Sequence, residues 1–116
     1  YSTPVVTFHS RRAAPLELIF YSGHAFPPIY RGGAFIVLHG TQNKYGYNVV
    51  FVPFDRNGKA GAQTVFAGGF AGFDPSSTNS GPAKYRPIGV AEGPDGALYV
   101  ADSQKGRIWR IAYGAD

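Results

Sequence analysis

Cysteine is absent from the 116 residues, which excludes disulfides and thiolate metal sites and leaves the redox compartment unspecified. No apolar run approaches the roughly 20 residues that a membrane-spanning helix needs, and no segment repeats its apolar residues at helical spacing. Charge is sparse, at 16% of residues, and the net excess of +4 comes from scattered bases: Arg11, Arg12, Arg31, Lys44, Lys84, Arg86, Arg107 and Arg110 among them. A nucleic-acid arm would show a dense basic run. Here the excess suits solubility or the attraction of a small anion, so neither nucleic acid nor a membrane is expected as a partner. Catalytic signatures are missing too. There is no nucleophile elbow, and Gly68, Gly69 and Gly72 are not followed by the helix that a phosphate-binding loop requires. His9, His24 and His39 have no metal-ligand spacing, and Glu17 and Glu92 fall on different strands rather than as a glycosidase pair. Tyr1 is not an initiator Met and no secretory leader opens the chain, which points to a processed product or a fragment.

What the chain has is β-strand and turn chemistry. Sixteen Gly, nine Pro and 16% aromatic residues suit many short strands. The clearest stretch is 86–111, RPIGVAEGPDGALYVADSQKGRIWRI. Apolar runs at 88–91 and 97–101 flank Gly93-Pro94-Asp95-Gly96, where a fixed φ, a self-bonding side chain and a residue free to take positive φ stand in a row. Lys105-Gly106 marks a second tight turn before a third run at 107–112. Three antiparallel strands follow, the sequence form of one β-propeller blade. Upstream, strands are expected at 16–22 (LELIFYS), 34–39 (AFIVLH), 47–54 (YNVVFVPF) and 63–70, with 34–39 buried on both faces and 23–31 irregular because of Pro27-Pro28. Residues 57–58 (Asn-Gly) make a loop, and 71–85 a long surface connection.

The strands at 16–22, 34–39 and 47–54 repeat those of 88–112 in order and character. Two four-stranded blades result if residues 3–8 (TPVVTF) form the outer edge of the second, giving blade one at about 16–70 and blade two at about 86–113. Propellers close with typically 4–8 blades. Further blades are therefore expected, from more polypeptide or from copies of the chain; three copies, a homotrimer, would give six blades.

The runs APLELIFYSG, FPPIYRGGAFIVLHG, NKYGYNVVFVPF and RPIGVAEGPDGALYVADSQKGRIWRI together resemble the C-terminal part of the glucose/sorbosone dehydrogenases, the pyrroloquinoline quinone (PQQ)-dependent soluble aldose dehydrogenases, from about Pro15 to Tyr113. The resemblance implies an all-β fold, two blades of a six-bladed propeller. It further implies PQQ in the central channel, an activating calcium ion, oxidation of a sugar or alcohol, and a periplasmic or secreted location. The family's catalytic His and calcium segment lie upstream of the matched part, so no catalytic residue or metal ligand is assigned to this chain. The matched positions imply that Arg86, Lys84, Lys44 and Asn43 face the cofactor, whose three carboxylates need cations and forked donors. Gln42 stands where many relatives carry an aromatic residue. His9 and His39 are placed at the substrate mouth, with a hydrogen-bonded structural role weighed against that for His39.

Plainer roles are expected elsewhere. Asp102 and Asp95 are set to bond backbone N–H groups at their turns. Trp109 and the tyrosines are set for packing between blades, though they would also suit sugar stacking. The alternative to a dehydrogenase fragment is a non-catalytic carbohydrate-binding propeller assembled from several copies, with repeated pockets between its blades.

Overall fold

Alternating apolar residues and stiff turns fold the described residues into seven strands. The computed structural model describes residues 6, 14–40, 46–70, 72 and 84–114. Strands β1 (Pro15–Phe20), β2 (Ala34–Leu38), β3 (Asn48–Val52) and β4 (Thr64–Ala67) form one antiparallel sheet in chain order. Strands β5 (Pro87–Glu92), β6 (Leu98–Asp102) and β7 (Ile108–Ile111) form a second antiparallel sheet, also in chain order. The fold is all-β, two antiparallel sheets built as propeller blades, as the sequence led us to expect. The repeat is visible in detail. Each inner strand opens on a proline, at Pro15 and Pro87, and each shifts register within its first residues, at 15/17 and 87/89.

Strand β2 shows why the sheets stack. All five of its residues are buried. Phe35 and Val37 point into a core shared with Val90, Leu98 and Val100 of the other sheet, while Ala34, Ile36 and Leu38 point into a second cluster with Val50 and Val52. A strand covered on both faces must read as a continuous apolar run, and this one does.

The expected strands run one to three residues past the observed ones at several ends, each for a local reason. β1 stops at Phe20 because Tyr21 turns inward and is 1% exposed. Pro53 has no N–H to extend β3, so the chain makes only an isolated bridge from Phe54 to Ala60. Gly68 and Gly69 end β4, and Gly69 has φ +83°. Within the irregular stretch at 23–31 lies one turn of 3-10 helix, Pro28–Tyr30. The expected outer strand at 3–8 falls outside the described residues except Val6, which packs against the second cluster, on blade one.

The turns behave as their residues dictate. Gly93 donates to the Ala97 carbonyl, Gly96 takes φ +83°, and the Asp95 carboxylate accepts from the Ala97 N–H. Asp55 caps the Asn57-Gly58 loop by accepting from the N–H groups of Asn57 and Lys59.

At one end of the interface, buried Tyr21 fastens the blades. Its hydroxyl donates to the Gly96 carbonyl at 2.8 Å and accepts from the N–H groups of Ala25 and Phe26, each at 3.1 Å. Beside it the Ser22 N–H donates to the Glu92 carboxylate at 2.9 Å. The far face of blade one is apolar and half bare: Leu16 and Leu18 are each 49% exposed and Phe20 56%.

Candidate functional site

The opposite end of the interface gathers polar side chains from four strand ends. β2 ends in His39 and Gly40, β3 begins after Tyr47, β5 begins after Arg86, and β6 ends in Asp102 and Ser103. Antiparallel pairing puts all of them at one rim.

Arg86 is the centre of this group. One terminal nitrogen of its guanidinium donates to the Gly40 carbonyl and, at 3.2 Å, to Nδ1 of His39. The guanidinium also lies over the Tyr47 ring, 5.7 Å from its centre. Arginine is always a donor, so Nδ1 must be bare and the His39 proton must sit on Nε2. Nε2 is 3.1 Å from Ser103 Oγ and donates to it. The Ser103 N–H donates to the Arg86 carbonyl, which closes the circuit. Burial, then the neighbouring Arg86 charge, lower the His39 pKa below the ordinary 6.5, against an opposing pull from Asp102. A neutral imidazole is what this geometry needs.

The backbone here is held from below. Asp102 is 6% exposed and accepts from the Arg86 N–H at 2.7 Å and the Lys105 N–H at 2.6 Å. Burial pushes its carboxyl up, but bonds from the N–H groups of Arg86, Lys105, Gln104 and Arg107 outweigh it and hold the group below its ordinary value. Asp102 is thus an anchor for two loops, the role its turn position implied.

Arg86 keeps donor capacity in reserve. Its buried Nε has no partner among the described residues, and neither has the buried Oδ1 of Asn48 at the start of β3. Tyr47, next to Asn48, is buried and takes φ +60°, a left-handed conformation that L residues enter rarely. Sequence reading passed over both; the signal was a polar Asn opening the otherwise apolar run NVVFV.

The other expected site residues are distributed as follows. Lys84 is exposed and leans over Tyr85, 5.7 Å from the ring centre, rather than over the Tyr47 ring that Arg86 covers. His39 is in the rim and bonded on both nitrogens. Lys44, Asn43 and His9 lie outside the described residues. Among the described residues no group of three His, Cys, Asp or Glu side chains could hold a metal ion, and no helix is long and apolar enough to cross a membrane.

A family model described as TrAA12-like matches residues 1–114. The chain belongs to the TrAA12-like family. The PQQ domain of pyranose dehydrogenase from Coprinopsis cinerea, in its holo form, shares the fold over 87% of this chain with a TM-score of 0.63 and 24% identity. This TrAA12-like chain spans 27% of that domain's chain, about a quarter. No curated protein matches it. The family and the fold together make it a relative of the PQQ domains of sugar dehydrogenases, the kinship that the sequence motifs implied.

Proposed function

We propose that this chain is two blades of a PQQ-dependent sugar dehydrogenase propeller and supplies the cationic side of the cofactor pocket. The observation that carries the reading is the buried Nε of Arg86, a guanidinium N–H without an acceptor among the described residues, in a group already oriented by Gly40 and His39. A carboxylate is the acceptor that a guanidinium fork fits best, and PQQ carries three, so the residues present fit the cofactor. In this reading Arg86 binds one carboxylate, and Lys84 with the loop residues Lys44 and Asn43 adds positive charge and donors around it. His39 stays neutral and keeps Arg86 aimed. PQQ, when bound, supplies the chemistry, accepting the hydride equivalent from a sugar or alcohol carbon. The base, the calcium ion and the remaining blades come from outside these two, and a secreted or periplasmic setting goes with this reading.

The test is PQQ affinity by calorimetry on the assembled protein. Arg86→Glu should weaken binding at least about tenfold, since a repulsive carboxylate replaces a charge-assisted bond, and Arg86→Lys should fall between. Equal affinity in Arg86→Glu and the unchanged protein would remove Arg86 from the site.

A further inference from the structure

A second basic cluster surrounds Tyr85, apart from the rim contacts of Arg86. The Lys84 ammonium is 5.7 Å from the Tyr85 ring centre, the Lys105 ammonium 5.2 Å and the Arg107 guanidinium 5.4 Å. All three cations are exposed, and among the described residues none forms a salt bridge. Asp102, the acid nearest along the chain to Lys105 and Arg107, is buried and directs its oxygens at backbone N–H groups. Three like charges around one ring repel one another, and an aromatic face offsets that only in part. Among the described residues no carboxylate balances these three charges.

Beside the cluster lies a notch. It is a hollow of about 370 Å³ between the end of β4 and β7, with Phe70, Tyr85, Trp109 and Arg110 in its wall and the backbone of Gly68 and Gly69 along one side. Arg110 is already paired with Asp95 at 2.6 Å, and Lys105 and Arg107 border the hollow through the Tyr85 ring that they share with it. Trp109 meets Phe70 and Tyr85 edge to face, at 5.1 and 5.0 Å between ring centres. The Tyr85 N–H donates to the Phe70 carbonyl at 2.8 Å, so the two walls are tied before any ligand arrives. Trp109 is half-buried and keeps part of its surface toward the notch. A volume at the low end of the range for ligand pockets suits one or two rings rather than a flat macromolecular contact.

We propose that this notch binds an anionic saccharide, a uronic-acid-bearing oligosaccharide. Its sugar ring lies against Trp109 and its carboxylates meet Lys105 and Arg107. The chemistry needs both halves: an apolar ring face for the aromatic wall and negative charge that extends past Tyr85 to the cations around its ring. A lipid headgroup or a bare phosphate lacks the first, and a neutral sugar lacks the second. Glycine at 68 and 69 leaves peptide groups uncovered for hydroxyls; a Cβ built on Gly69 meets nothing within 4 Å. Lys84 is common to this cluster and to the proposed cofactor pocket, so the test below is carried by Lys105 and Arg107, which that pocket does not use.

Trp109 is the single tryptophan, so intrinsic fluorescence reads this site alone. Trigalacturonate titrated into the full chain should change Trp109 emission saturably, and the affinity should fall as salt rises. Lys105→Glu with Arg107→Glu should lose at least about tenfold in affinity, as expected when charge-assisted bonds become repulsive. Both residues are exposed, and an unchanged unfolding midpoint in the double variant keeps the loss attributable to charge. Absence of a saturable change would overturn the proposal. So would equal affinity for neutral galactotriose, or full displacement of trigalacturonate by an equal concentration of tri-aspartate.

Discussion

At His39 a single proton decides whether Arg86 stays aimed. The ring accepts from Arg86 through Nδ1, and protonation there would set two cations 3.2 Å apart. The folded state therefore holds the pKa below 6.5, first by burial and then by the Arg86 charge. Well above pH 6.5 both folded and unfolded rings are neutral, and the contribution to stability is complete. As pH falls below that point the unfolded chain takes up the proton first, so stability declines until the folded ring also protonates. Thermal unfolding midpoints between about pH 7.5 and pH 5.5 should fall through this window, and the fall should be shallower in His39→Asn. An identical slope in the variant would mean that other groups carry the dependence. Asp102 titrates lower, so it stays ionised through this range and keeps the Arg86 backbone fixed.

Among the elements, the joint between the end of β1 and the β5–β6 turn depends on one hydroxyl. Tyr21→Phe keeps the ring stacked on Phe26, 4.9 Å between centres, and removes the group that serves Gly96, Ala25 and Phe26. Buried backbone groups left unpaired cost about 1–3 kcal/mol each before relaxation, so the variant should lose roughly 2 kcal/mol in chemical denaturation. A loss near zero would mean that water replaces the hydroxyl. The strands themselves were legible from alternation and from turn residues: Pro94-Asp95-Gly96 fixes one hairpin and Lys105-Gly106 the next, and both operate within a few residues. Tyr21 was read as one more strand residue, because its partner Gly96 is 75 positions away and no local pattern encodes it. The same limit applies at the candidate site. Arg86 could be singled out because the run it opens resembles a known family, but its contacts to Gly40 and Tyr47 arise only when two sheets meet. The Tyr85 cluster was missed because Lys84, Lys105 and Arg107 are unremarkable until the β5 entrance and the β6–β7 turn come together.

For the whole molecule, the bare faces decide the state in solution. Leu16, Leu18 and Phe20 line a hollow of about 480 Å³ with Ile36 and Phe54 on the far side of blade one. The wall is almost wholly apolar, which suits a packing surface. Ile88 and Ile108 are exposed on blade two. Apolar surface of this kind associates in water. Light scattering on a size-exclusion column should give a mass above one chain's 12.4 kDa, and a mass of three chains would fit a six-bladed ring. A monodisperse particle of one chain would count against assembly from copies. Leu18→Lys should shift the particle to smaller mass if this face is the contact.

The joint at Tyr21 also bears on how the molecule comes to fold. Every strand pairs with its neighbour in the chain, so each sheet can zip from local contacts alone. The bonds that join the blades instead span 46 to 75 residues. Folding rate falls as contacts become more distant in sequence, and closing a loop of that length carries an entropy cost of about 4 kcal/mol by its logarithmic term. Docking of the two sheets is therefore expected to be slower than the zipping of either one. A ribosome would release blade one nearly complete, its inner face waiting for a partner that has yet to be translated.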